Sequence, residues 1–173
     1  MHTQHVTKPK FFEQSGFDVI GIETRTNNAR ESAGGAIPQL WQRLFAEGIL
    51  DRIPDRADES ITVVYTNYAS DWNGDYTYTL GAKVKPGTKA PAGMVLATVP
   101  AGQYVEFQSA RGPGQEVVPA LWKQIWTYFQ EPVNPARAYK SDFERYQGSS
   151  DPNNVQAQIY IGVKPNHVAS SAE

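Results

Sequence analysis

Pro38-Gln-Leu-Trp-Gln-Arg-Leu-Phe45 and Pro119-Ala-Leu-Trp-Lys-Gln-Ile-Trp126 are one pattern written twice. Trp41 and Trp122 stand 81 residues apart, and the match spreads outward at that same shift without a gap. Gly21 meets Gly102, Ala29-Arg30 meets Ala110-Arg111, and Pro54, Arg56, Ala57 and Ser60 meet Pro135, Arg137, Ala138 and Ser141. Tyr65, Asn73, Gly81 and Lys83 meet Tyr146, Asn154, Gly162 and Lys164. That makes 14 identities over 63 positions. Ordinary composition gives roughly one in fifteen by chance, so the chain is a duplication. One module lies near residues 16–85 and its copy near 97–164 of a single domain.

Each module carries the same order of signals. A strand comes first, Phe17–Glu23 or Gln103–Phe107, then a glycine turn. An amphipathic helix follows. Ile37, Leu40, Trp41, Leu44 and Phe45 recur at three- and four-residue steps, as do Val118, Leu121, Trp122, Ile125, Trp126 and Phe129. Pro38 and Pro119 are read as first-turn prolines. Strands near 61–68 and 139–146 come next. Last is a strand of period two, with Tyr76, Tyr78, Leu80, Ala82 and Val84 on one face and Ala157, Ile159, Ile161 and Val163 on its equivalent. An extra strand, Met94–Val99, precedes the second copy. The expected class is therefore α+β, built from duplicated β-α-β-β modules. Two such units related by a pseudo-twofold axis cover each other's open edges in one antiparallel sheet. The two main helices then share a face, with a cleft between them as the natural place for function. Residues 1–14 and 165–173 are polar and read as mobile tails.

Composition narrows the function. The 173 residues hold 16 Lys+Arg against 18 Asp+Glu and no Cys. No disulfide, thiol nucleophile or cysteine-ligated metal is available. A net charge of −2 argues against direct nucleic-acid binding. No apolar run approaches the roughly 20 residues of a membrane span, and no signal peptide opens the chain, so a cytoplasmic protein with no membrane partner is expected. Aromatic residues make up 12% of the chain, enough to wall a site for a flat or cationic ligand. His2, His5 and His167 lie in the tails, which gives a metal site or a catalytic histidine little support, and no cofactor motif is present.

Val99-Pro-Ala-Gly-Gln-Tyr-Val-Glu-Phe107, Arg111-Gly-Pro, Leu121-Trp122 with Trp126, Phe143-Glu-Arg-Tyr146 and Ile159-Tyr-Ile-Gly-Val-Lys164 form an ordered signature. It resembles the GyrI-like small-molecule-binding domain, the effector-binding half of AraC-type and MerR-type multidrug regulators. The resemblance implies the duplicated fold and a receptor for lipophilic, cationic aromatic compounds. It also implies that Glu144, matching a pocket glutamate on the family's late strand, faces the ligand's charge. Nothing in the chain resembles a helix-turn-helix pair, so the expectation is a standalone effector-binding domain, with any DNA contact made by a separate partner.

Glu144 also stands out without the family, because its counterpart 81 residues earlier is Val63. An acid replacing a valine on a buried strand is costly unless it is paired or used. A salt bridge to Arg137 or Arg145 and a ligand counter-ion both fit. Tyr146 and its mate Tyr65, Trp41 and its mate Trp122, Trp126 opposite Phe45, and Tyr104 complete the ligand-binding candidates. Glu106 is a second acid candidate, and Trp72, in a turn, a candidate lid. No catalytic residue is assigned. The alternatives are a hydrolase of strained-ring genotoxic compounds, using a pocket carboxylate and tyrosine, and a gyrase-modulating interaction protein.

Overall fold

The computed structural model describes residues 9–133, 135–147 and 152–165. In chain order the elements are β1 (Lys10–Gln14), β2 (Phe17–Thr26), α1 (Asn28–Ser32), α2 (Ile37–Ala46), α3 (Ile49–Arg52), β3 (Ile61–Thr66) and β4 (Tyr76–Val84). Then come β5 (Val95–Val99), β6 (Gly102–Gln108), α4 (Gly114–Gln130), β7 (Arg137–Tyr146) and β8 (Ala157–Val163). The strands form one antiparallel sheet in the order β1-β6-β8-β7-β3-β4-β2-β5. Equivalent strands make this order read alike from both ends, the signature of a pseudo-twofold axis at its centre. There β3 pairs with β7, and Val63 stands directly opposite Glu144. Since 63 + 81 = 144, the axis passes between these two symmetry mates.

The polar segment 1–14 is not wholly a tail. Lys10–Gln14 form β1 on the outer edge of β6. Its sequence, Lys-Phe-Phe-Glu-Gln, has no alternation to be read in advance, and it is the ladder to β6 that makes it a strand. β5 covers β2 in the same way. Each leading strand thus flanks the other module. Ser15-Gly16 joins β1 to β2, and Pro100-Ala101 joins β5 to β6, although the joined strands lie toward opposite ends of the sheet. Two residues span at most about 11 Å, so the sheet must bend until its ends meet. Val19, Val64, Val99, Tyr104 and Phe143 fill the inside of that bend.

Both main helices lie on the other face. α2 and α3 cover Ile20, Leu80 and Ala82, and α4 covers Val105, Ile159 and Ile161. β2 and β4 approach so closely that only glycine fits at one crossing. A Cβ at Gly21 would meet the Leu80 carbonyl oxygen at 2.0 Å, and one at Gly81 would meet that of Ile20 at 1.9 Å. The α2 N-terminus is capped from outside the helix, by Glu31. Its carboxylate accepts the N–H groups of Ala36 at 3.2 Å and Ile37 at 3.1 Å, where negative charge is favoured.

α4 begins earlier than the sequence reading placed it. The N–H groups of Glu116 and Val117 both donate to Pro113 O, so Pro119 falls inside the helix rather than in its first turn. Having no N–H, it leaves the Gln115 carbonyl without its helical donor. β7 is irregular between Arg137 and Asp142, where Tyr139 takes φ 54°. Asp142 repairs the ladder there, with Oδ1 accepting the Gly162 N–H at 2.8 Å.

Candidate functional site

Side chains from β3 and β7 form the floor of a cavity of about 970 Å³ between α2 and α4. Tyr65, Glu144 and Tyr146 point up from the floor, Trp41 and Phe45 wall it from α2, and Trp122 and Trp126 wall it from α4. The walls cross the axis. Trp41 of the first module packs edge-on against Tyr146 of the second, with centroids 5.1 Å apart. Trp122 of the second packs edge-on against Tyr65 of the first, at 5.4 Å. At the mouth, Phe45 leans on Trp41 at 6.3 Å and 35°, and Trp126 leans on Trp122 at 6.1 Å and 37°.

Hydrogen bonding breaks this symmetry. Glu144, 1% exposed, takes three donors: the Tyr146 hydroxyl at 2.6 Å, the Tyr65 hydroxyl at 2.6 Å and the Trp122 indole N–H at 2.8 Å. In the first module Val63 stands at the position of Glu144, and Trp41 donates instead to the Tyr78 hydroxyl at 2.8 Å. Burial raises the Glu144 pKa, and its three hydrogen bonds oppose that rise. Burial, and after it the Glu144 charge, pushes the Tyr65 and Tyr146 hydroxyls well above the ordinary tyrosine value. They are donors to the carboxylate, not bases.

The ion pairs considered for Glu144 are made elsewhere. Arg145 reaches Asp58 at 3.3 Å and Ser60 at 3.1 Å. Arg137 reaches Asp142 at 2.8 Å. Asp142 is fully buried and also accepts from the Tyr68 hydroxyl. Sequence reasoning missed Asp142, Tyr68 and Tyr78. Asp142 had the same signal as Glu144, since its counterpart is the apolar Ile61 (142 − 81 = 61).

Six of the seven ligand-binding candidates converge on the cavity, and Tyr104 does not. It lies on the opposite face of the sheet, packed on Phe143 at 5.3 Å with its hydroxyl donating to Pro100 O at 2.8 Å. Strand alternation decides this, because Val105 and Phe107 take the helix side of β6. Glu106 shares the Tyr104 face and accepts from the Tyr160 hydroxyl at 2.6 Å, away from the cavity. Trp72 is exposed at the cavity rim, its carbonyl held by Asn28 at 2.8 Å. His2, His5 and His167 lie outside the described residues. Among the described residues, no three His, Cys, Asp or Glu side chains gather to hold a metal, and no helix is long and apolar enough to cross a membrane.

Residues 11–163 match the family model Cass2, integron-associated effector binding protein. A Bacillus subtilis protein named as a transcriptional regulator, YobU, is 33% identical over 147 residues, 83% of this chain and 90% of that one. An integron cassette protein from the mobile metagenome of Vibrio cholerae superposes with a TM-score of 0.72 at 30% identity, over 92% of this chain and 97% of that one. The solved structure of SAV2435 bound to tetraphenylphosphonium superposes at 0.73 with 18% identity, over 91% and 94% of the two chains, and so shares the fold. The chain belongs to the family of integron-associated effector-binding proteins, on the GyrI-like fold its signature resembles.

Proposed function

We propose that this effector-binding protein takes lipophilic cationic aromatic molecules into the cavity over β3 and β7, with Glu144 as the counter-ion. One observation carries the reading: a buried carboxylate that makes no ion pair among the described residues faces an aromatic-walled space. A bound cation would supply the missing charge, and the indole and phenol faces add about 0.5–2 kcal/mol per cation–π contact. The binding of tetraphenylphosphonium by SAV2435, on the same fold, supports this chemistry. Tyr65, Tyr146, Trp41, Trp122 and Trp126 shape the site. The role is that of a reversible receptor or sequestering protein, and YobU's naming as a transcriptional regulator supports a relay to a separate DNA-binding partner.

Titrating tryptophan fluorescence with tetraphenylphosphonium, and with neutral triphenylphosphine oxide, tests the reading. Glu144→Gln should keep the fold and weaken the cation about tenfold or more, while the neutral compound changes little. Equal cation affinity in the variant would remove Glu144 from the site.

A further inference from the structure

Arg137 adds a second pole to the cavity. It is 8% exposed and lines the same space as Glu144. Its guanidinium lies over the Tyr139 ring at 4.4 Å, with Trp122 at 5.7 Å and Tyr68 at 5.9 Å. Both of its hydrogen bonds leave from Nη2, to Asp142 at 2.8 Å and to the Tyr68 hydroxyl at 3.4 Å. Nε is buried with no partner. An unmade bond at a buried charged donor is costly, and an arginine fork is shaped to hold a carboxylate with two parallel bonds.

The charged lining agrees. Among the described residues, the cavity's charged side chains are three cations, Arg111, Lys123 and Arg137, against two acids, Glu31 and Glu144. Glu31 is committed to capping α2. Arg111 has only neutral partners, Asn154 at 3.5 Å and Gln156 at 3.4 Å. All three cations belong to the second module, and Glu144 sits on the axis. Asp142, buried behind the lining, offsets the Arg137 charge, and Arg111 and Lys123 still make the second module's side of the space cationic.

The geometry points to an amphoteric ligand: a flat aromatic molecule whose cationic group meets Glu144 and whose carboxylate meets Arg137. This rests on the reading of Glu144 as a counter-ion and adds an anionic subsite to it.

Rhodamine B and its ethyl ester separate the two ideas. Both carry the same xanthylium cation, and only the acid has a free carboxylate. Fluorescence anisotropy should show the acid binding about tenfold tighter than the ester. That preference should vanish in Arg137→Gln/Asp142→Asn, which removes both buried charges together. It should shrink in Arg137→Lys, which keeps the charge and loses the fork, and be reduced less in Arg111→Gln/Lys123→Gln at the rim, which leaves the fork in place. An ester that binds as tightly as the acid overturns the inference while leaving the counter-ion reading standing. Loss of the preference in the rim variant alone overturns it too, by moving the carboxylate off Arg137. If neither dye binds, both ideas fall.

Discussion

Trp41 and Trp122 occupy equivalent turns of equivalent helices and pack edge-on against equivalent tyrosines, yet they donate to different groups. Trp41 meets a neutral hydroxyl, and Trp122 meets a buried carboxylate. Ring packing followed the duplication, because rings need only shape. Charge did not, because two acids at one axis cannot both stay buried and ionised. Val63 and Glu144 face each other across β3 and β7, where directly opposed Cβ atoms lie about 4.5–5.5 Å apart. The duplicated fold therefore has room for one acid at its centre, and the second module carries it.

Restoring symmetry with the wrong residue should have the largest effect. Val63→Glu puts a second carboxylate directly opposite Glu144. It should destabilise the protein by about 3–5 kcal/mol at neutral pH, measured by urea unfolding. The loss should shrink as pH falls, since the added acid binds a proton more readily in the folded protein than in the unfolded chain. Val63→Gln, similar in size and uncharged, should cost clearly less. Equal losses in the two variants would mean that crowding, not charge, keeps the axis to one acid.

This asymmetry was partly legible in the sequence. The 81-residue shift exposes the modules, the shared helix face and the cleft, because repeated packing leaves repeated apolar residues. Glu144 showed as a polar residue standing where its mate is apolar. Asp142 showed the same contrast against Ile61, but its role depends on the irregularity in β7, and no residue pattern announces a bulge that leaves Gly162 N–H in need of an acceptor. Tyr104 misled because alternation tells which residues share a face but not which face meets the helices, and here Val105 and Phe107 take that side. β1 could not be read because five residues carry too little periodicity. Such features come from long-range pairing, which a local pattern does not encode.

A smaller effect separates the two tryptophans directly. Trp122→Phe removes a hydrogen bond to a charged group and should cost about 1.5–3 kcal/mol at neutral pH, whereas Trp41→Phe removes a neutral one and should cost about 0.5–1.5 kcal/mol. Burial raises the Glu144 pKa in the folded protein above that in the unfolded chain. Its protonated form therefore contributes stability that is fully present below the unfolded value and is lost as pH rises through the folded one. Glu144→Gln should abolish that pH-dependent part. In acid, with Glu144 protonated, the Trp122 bond becomes neutral and the two Trp→Phe penalties should converge. A gap that stays constant from acid to neutral pH would mean Trp122 acts through packing rather than through the carboxylate.

The mouth of the cavity is where the modules differ least, and there the smallest effects are expected. Phe45 is 54% exposed and Trp126 38% exposed, and each leans on its own tryptophan with nearly the same geometry. Truncating either to alanine leaves little cavity behind, so stability should change by only about 0.5 kcal/mol. Ligand affinity is the more telling readout. An aromatic contact is worth about 0.5–1.5 kcal/mol, which corresponds to roughly 2- to 10-fold in binding. Tetraphenylphosphonium, with its charge at the centre of four equivalent rings, should lose affinity about equally with Phe45→Ala and Trp126→Ala, because Glu144 holds it on the axis. Rhodamine B should lose more with Trp126→Ala, because a carboxylate drawn to Arg137 pulls the ring system toward the second module's wall. A larger loss at Phe45 for that dye would place the ligand on the first module's side, where, among the described residues, the one charged lining side chain already caps a helix.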